Sequence, residues 1–465
     1  MIPVVIFAIS ALFHYLYAGI PHAVVFDEVY YGNILAQYWN GTYFFDMHPP
    51  FVKLLLTLVA YLIGLFKYNI DWSVIGNPLP GLAVALRTVP MMAGTLLSVV
   101  IYYLSRRINL SKSVSFTIAI LLCLENSLIT QSRFLLLDII MILAGFSAIL
   151  FYLEYIRTAP GRKRQWYVFL SAFCVAAAVS TKWTALAFPF FIFLLEVYRL
   201  IDWKLKFKEH LKKQFFGLLR FAWPYVTVTI ILYTSLFAIH FSLLYRSGTG
   251  DAFMTPEFQK TLVGNLNGAN PALATKGFFG KFFELNDVMF EVNHNMTATH
   301  SYSSKWYTWP FTYRSIFYWQ DTAPAAGQPR AYIYLLGNPF IYWLGALAMA
   351  TIILGGLFSK IQGEKSEALR NKLWLFIVIG YLVNYLPFIF IGRVMFLYHY
   401  EAALIFTILG IGYLLDFLKP RTKIICIVLI LAIALTAFIY WSPLTYGLPI
   451  TDVQLQARMW LASWR

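Results

Sequence analysis

Residues 1–52 contain neither lysine nor arginine, and charged residues make up only 12% of this 465-residue chain. A soluble chain of similar length would carry roughly 25% charge. The scarcity of charge, with 60% hydrophobic residues and a mean hydropathy of +0.66, excludes a soluble globular protein and predicts a polytopic membrane protein. Cysteine is scarce too. Cys123, Cys174 and Cys426 lie in separate apolar runs, without disulfide or metal-ligand spacing, and read as small buried hydrophobes. No internal repeat or low-complexity tail is visible, which counts against a transporter working by alternating access. The first apolar run has no basic stretch before it and no small-residue cleavage site after it, so a retained helix is expected. Aromatics are plentiful at 18%, including 31 Tyr and 14 Trp, and suit interfacial belts and sugar-binding surfaces.

The formal net charge is +15, yet nucleic acid is not the implied partner. The basic residues fall in short loops between apolar runs, the positive-inside pattern. A span needs about 20 apolar residues. Eleven are expected, at 2–20, 83–104, 114–130, 135–156, 166–181, 184–199, 218–240, 331–357, 373–391, 400–417 and 423–441. With that count, five basic clusters share one side: Arg106/Arg107/Lys112, Arg157/Arg162/Lys163/Arg164, Arg199 through Lys204, Lys206, Lys208, Lys212 and Lys213, then Lys360/Lys365/Arg370/Lys372 and Lys419/Arg421/Lys423. That side is expected to be the cytoplasm, with the N-terminus inside and the C-terminus outside. The apolar run 51–66 is short. If it crossed, the cation-free residues 1–52 would join the basic side, so it is expected to be an interfacial or re-entrant helix.

The pair Asp27-Glu28 in "FDEVYYG" (26–32) then faces outward, as do residues 125–133, 180–183, 392–400 and 241–330. A site assembled from outer loops follows. The expected organisation is an N-terminal transmembrane catalytic module (1–240, with a first outer loop at 21–82), an extracytoplasmic loop region or small subdomain (241–330) and a C-terminal transmembrane module (331–465).

Adjacent carboxylates beside a bilayer are costly and tend to mark function. Asp27 has a bland role open to it, capping a helix over about 28–39. Its sharper role is a general base that deprotonates a hydroxyl nucleophile. Neighbouring side chains on a turn point apart, so the two carboxylates are not expected to share one task. In "FFDMHPPFVK" (44–53), Asp46, His48 and Lys53 surround a Pro-Pro pair that fixes an extended turn. Asp46-x-His48 is only a weak metal signal. Arg87, Arg133, Lys182, Arg393 and His399 are exceptions on a face expected to be poor in cations, with Asp138 beside Arg133 in "QSRFLLLD". Each alone reads as a snorkelling side chain. Together they suit a phosphate, and a lipid-linked phosphate would lie at this depth.

These segments resemble the protein O-mannosyltransferases, which use dolichyl- or polyprenyl-phosphate-mannose and have the GT-C glycosyltransferase fold. The resemblance rests on an ordered set: "FDEVYYG", "TYFFDMHPPFVK", "QSRFLLLD", "STKWTAL", "HSYSSKWYTWP" (300–310), "LLGNP" (335–339) and "GRVMFLYHYEAAL" (392–404). It implies an all-α polytopic chain of about eleven spans with an outward active site. It implies that Asp27 is the catalytic base and Glu28 its supporting partner. Lys53, Arg87, Arg133, Lys182, Arg393 and His399 are then expected at the donor phosphate and sugar, and His48, Asp46, Asp138, His300 and Tyr302 in the acceptor region or pocket. Eukaryotic members carry a β-trefoil MIR domain between two late spans. The 241–330 segment is too short for one, which places the chain with bacterial or archaeal relatives.

The implied reaction is inverting transfer of mannose from polyprenyl-phosphate-mannose to Ser or Thr hydroxyls of secreted or membrane proteins. The expected partners are the lipid-linked donor, an acceptor polypeptide met as it crosses the membrane, and membrane lipids. Phosphate is a good leaving group, so no cofactor is required and a divalent metal is not expected. The alternative within the same fold is a transferase moving a lipid-phosphate-linked sugar to a lipid or glycan, as aminoarabinose transferases do.

Overall fold

The computed structural model describes residues 1–200, 207–325, 327–361 and 368–465. Lys204, Lys206 and Lys365 of the expected cytoplasmic clusters lie outside the described residues. Among those described, eight helices are long and apolar enough to cross a membrane: Gly81–Arg107, Asp138–Arg157, Trp183–Leu200, Phe215–Leu243, Pro339–Gly356, Lys372–Phe390, Leu397–Asp416 and Pro420–Tyr446. The pair Lys112–Cys123 and Asn126–Ser132, bent by 58°, makes a ninth if it is one broken span. Its second half starts where the Glu125 side chain accepts a hydrogen bond from Ser127 N, a local cap that restarts the helix.

The other two expected spans are helices that fall short of the span criteria. Ile2–Tyr15 has 14 residues, about 21 Å against a hydrocarbon core of about 30 Å. Arg162–Val179 carries three cations in its first turn. A further difference concerns 331–357. Its first residues form a strand, because the aromatic and β-branched run around Ile333 favours extended structure and the helix begins only at Pro339, where proline suits the first turn. The three strands β1 (Ile316–Gln320), β2 (Arg330–Leu335) and β3 (Pro449–Ile450) form an antiparallel sheet in the order β1-β2-β3. It ties the region before residue 330 to the end of the chain. Trp464 is fully buried there, its indole N–H donating to Thr312 O at 2.7 Å.

Residues 21–80 hold two α-helices, Glu28–Asn40 and Phe51–Leu62. The second, at 12 residues, is about 18 Å long and too short to span. The first ends at Gly41, whose φ of 72° is the left-handed cap that glycine supplies cheaply. Gly32 lies under the Trp72 ring so closely that an added Cβ would stand 2.0 Å from it. That contact fixes how the "FDEVYYG" helix lies on the loop beyond it.

Candidate active site

Phe26 takes a positive φ of 49°, and its ring stacks on Tyr318 of β1 at 3.9 Å between centroids. The chain turns there and enters the Glu28–Asn40 helix, with Asp27 and Glu28 on opposite sides. Glu28 points inward and is fully buried. Its Oε1 accepts from Arg87 Nε at 2.8 Å and Leu135 N at 3.1 Å, and its Oε2 from Arg87 Nη2 at 2.6 Å and Val25 N at 2.9 Å. Arg87 also donates to Pro21 O at 2.6 Å and Ala23 O at 2.7 Å. Arg87, expected at the donor, has a buried guanidinium held by Glu28 and by the carbonyls of Pro21 and Ala23.

Asp27 stands at the N-cap position, but its carboxylate caps nothing and accepts no hydrogen bond among the described residues. It is half-buried. Burial pushes its carboxyl up to about 7, against the pull of Lys182 and with the repulsion of Asp138 and Asp46. A carboxylate with free lone pairs and a pKa near neutrality has the properties of a general base.

The "DMHPPFVK" turn is clamped from within. Lys53 Nζ, 2% exposed, donates to Asp46 Oδ2 and to His48 O, both at 2.6 Å. Asn293 donates to Met47 O at 2.9 Å, and Phe51 N to Ser180 O at 3.0 Å. Lys53, expected at the donor, and Asp46, expected in the pocket, thus hold each other. Both set the shape of the turn. His48 does line a small cavity, with Met47, Lys182, Asn293, Arg393 and His399. Burial, then the nearby Lys182 charge, pushes its imidazole down to about 3, so it is neutral near pH 7.

Lys182 Nζ lies 2.8 Å from both oxygens of Asp138. Gln131 Nε2 reaches Asp138 Oδ2 at 3.3 Å, and the Tyr318 hydroxyl donates to Gln131 Oε1 at 2.7 Å. A continuous chain thus runs from the Phe26 ring through Tyr318 and Gln131 to the ion pair. Asp138 also lines a larger, mainly apolar cavity of about 800 Å³ with Met141, Phe188, Pro387, Phe390 and Arg393. Asp27 lines neither cavity, but the charges of Lys182, Asp138 and Asp46 act on it.

Arg393 lines both cavities and has no carboxylate partner among the described residues; its one polar contact is Met47 Sδ at 3.9 Å. His399 stacks on Tyr398 at 4.5 Å and faces both cavities. Arg133 is elsewhere. It is 1% exposed and donates to Leu16 O and Tyr17 O, both at 2.6 Å, and to Ile20 O at 3.0 Å, beneath the Tyr446 ring. Arg133, expected at the donor, fastens the chain after the first helix. His300 and Tyr302 sit outside both cavities. The His300 ring packs on Phe396 at 5.1 Å, and Tyr302 stacks near Phe317.

Tyr318, Gln131, Tyr398 and Asn293 were not singled out by sequence. Gln131 and Tyr398 lie inside quoted segments, whereas Tyr318 and Asn293 carry no local signal. Among the described residues no group of three or more His, Cys, Asp and Glu is placed to hold a metal ion.

Two family profiles match. "Dolichyl-phosphate-mannose-protein mannosyltransferase" covers residues 4–245, and "C-terminal four TMM region of protein-O-mannosyltransferase" covers residues 278–464. The chain is 34% identical to dolichyl-phosphate-mannose–protein mannosyltransferase 4 of Candida albicans over 53% of this chain and 33% of the relative. It is 36% identical to protein O-mannosyl-transferase 1 of Danio rerio over 55% of this chain and 36% of the relative. The chain spans about a third of the length of those two relatives. In structure it resembles the Saccharomyces cerevisiae protein O-mannosyltransferase Pmt1-Pmt2 complex bound to the sugar donor, with a TM-score of 0.88 at 21% identity over 100% of this chain and 92% of the other. The first profile alone covers more than half of the 465 residues, and the chain belongs to the dolichyl-phosphate-mannose-protein mannosyltransferase family, with its GT-C fold.

Proposed function

We propose that this protein transfers mannose from a polyprenyl-phosphate-mannose to Ser or Thr hydroxyls of polypeptides on the extracytoplasmic side of the membrane, with its N-terminus in the cytoplasm and its C-terminus outside. The observation that carries this reading is the unpartnered carboxylate of Asp27 beside the Lys182–Asp138 pair. Asp27 takes the proton of the acceptor hydroxyl as its oxygen attacks the anomeric carbon. The bond from that carbon to the phosphate oxygen breaks, and the electron pair leaves with the lipid phosphate. One displacement inverts the configuration and needs no glycosyl-enzyme intermediate.

The phosphate gains charge as it departs. Lys182 and Arg393, set along the same small cavity as neutral His48, stabilise that charge where it develops. Asp138 holds the Lys182 ammonium in place. The apolar cavity of about 800 Å³ takes the polyprenyl chain, whose burial supplies binding energy remote from the reacting centre. Glu28 and Arg87 position the turn that presents Asp27. No step in this scheme requires a metal.

The test is transfer of tritiated mannose from polyprenyl-phosphate-mannose by purified protein in nanodiscs, offered a Ser/Thr-rich peptide, a lipid and a glycan acceptor side by side. Label in the peptide supports the reading. Label only in lipid or glycan keeps the donor chemistry and replaces the acceptor.

A further inference from the structure

A second groove opens beside the cavities just described and shares Arg393 and Gly392 with them. Its volume is about 440 Å³. It is lined by residues 296–299, 303–305, 307–308, 313–314 and 392–395. Ser304 N donates to Met395 O at 2.9 Å and joins the 303–305 and 392–395 parts of the lining. Two features of this groove are not used by the chemistry above.

The first is main chain. Among the described residues, Thr297, Ala298, Thr299, Gly392 and Val394 make no hydrogen bond through their backbone N–H or C=O groups. These two stretches therefore keep main-chain donors and acceptors that can pair with a chain from outside. The second is charge. Lys305, Arg314 and Arg393 line the groove, no Asp or Glu does, and none of the three cations has a carboxylate partner among the described residues. Tyr307 and Tyr313, more than half exposed, flank the opening.

We infer that this groove holds an extended segment of the acceptor polypeptide, pairing with its main chain and selecting acceptors with acidic residues beside the glycosylated Ser or Thr. The inference rests on the proposed peptide-mannosyltransferase reading. Free backbone donors and acceptors in both stretches favour a polypeptide over an anionic lipid headgroup, which has no repeating amide to pair with them. Sequence-independent main-chain pairing gives affinity, and the cations sort among acceptors by flanking charge. Arg393 stands where groove and donor cavities meet, so a Ser or Thr at the inner end of the bound segment is directed towards the reacting centre.

The test uses the full chain in nanodiscs and three fluorescent peptides with one central Thr, flanked by Glu, Gln or Lys. Binding is measured without donor, so it does not depend on the reaction. The Glu peptide is expected to bind about tenfold more tightly than the Lys peptide, a margin that shrinks as salt is raised. The double variant Lys305→Glu, Arg314→Glu is expected to reverse the order, which a merely damaged groove would not do. N-methylation of the peptide backbone next to Thr should weaken binding of all three. Equal binding of the three peptides, or an unchanged order in the charge-reversal variant, would overturn the inference while leaving the proposed reaction standing. Charge-sorted binding with no mannose transfer to any peptide would overturn the proposed reaction, and with it the reading of the groove as an acceptor site.

Discussion

Arg87 grips Glu28 with two bonds, Nε to Oε1 at 2.8 Å and Nη2 to Oε2 at 2.6 Å, while the carboxylate of Asp27, one residue earlier, accepts none among the described residues. Two adjacent carboxylates of similar chemistry are thereby given opposite tasks. One is fully paired and immobile, and the other keeps its lone pairs free.

A stability difference follows from this division. Arg87→Ala leaves the Glu28 carboxylate buried and unpaired, and Glu28→Ala leaves the guanidinium so. Either is expected to cost about 3–5 kcal/mol, the range for breaking a buried pair, and to lower the thermal midpoint of the detergent-solubilised protein. The double replacement Glu28→Leu, Arg87→Met should recover much of that loss, because no buried charge is left over. A normal midpoint in either single variant would mean that the pair does not hold the loop.

The expected pH dependence has two signs. Activity in this scheme needs ionised Asp27, whose pKa is raised to about 7. The rate with unsaturating substrate should therefore climb roughly tenfold per pH unit below that value and level off above it. Stability should move the other way. Between the ordinary 3.8 and about 7, the folded state holds a proton at Asp27 that the unfolded state has lost, so this group's contribution falls as pH rises through that window. His48, pushed down to about 3 from 6.5, adds a slope of the opposite sign. The difference between wild type and Asp27→Asn isolates the first. The variant should gain stability relative to wild type as pH rises from the ordinary 3.8 to about 7. A rate profile that is flat across that range contradicts the assignment of Asp27 as the base.

The cations should separate by their partners. Arg393→Ala removes a guanidinium with no carboxylate partner among the described residues and is expected to raise the donor KM by roughly tenfold or more, the scale of a charged hydrogen bond, with little change in thermal midpoint. Arg133→Ala should do the reverse, lowering the midpoint because the carbonyls of Leu16, Tyr17 and Ile20 lose their donor. A donor KM raised as much by Arg133→Ala as by Arg393→Ala would remove the distinction.

That last contrast shows where sequence reading stopped. Periodic apolar runs were enough to predict eight of the eleven expected spans, because hydrophobic length is a local property. They could not show that residues 331–335 pair with β1 as a strand, since that depends on a partner in another segment. Nor could they sort Lys53, Arg87, Arg133 and Lys182, which carboxylates or carbonyls already hold, from Arg393. All five are cations in segments expected outside, but whether a carboxylate or carbonyl inside the protein already holds each one is decided by tertiary contacts. Resemblance to the family implied Asp27 as base and Glu28 as its support. What it could not show is that Arg87 holds the Glu28 carboxylate while that of Asp27 keeps its lone pairs free. Tyr318, which joins the Phe26 turn to the Asp138–Lys182 pair through Gln131, lies in a strand with no motif to mark it.

The most direct measurement of the central claim is donor binding and single-turnover mannose transfer compared in wild type and Asp27→Asn, using polyprenyl-phosphate-mannose and a Thr peptide in nanodiscs. The account predicts donor affinity within about twofold and a transfer rate reduced by roughly 10²–10⁴-fold, the usual contribution of a general base. A variant that binds donor normally and transfers mannose at the wild-type rate would contradict it.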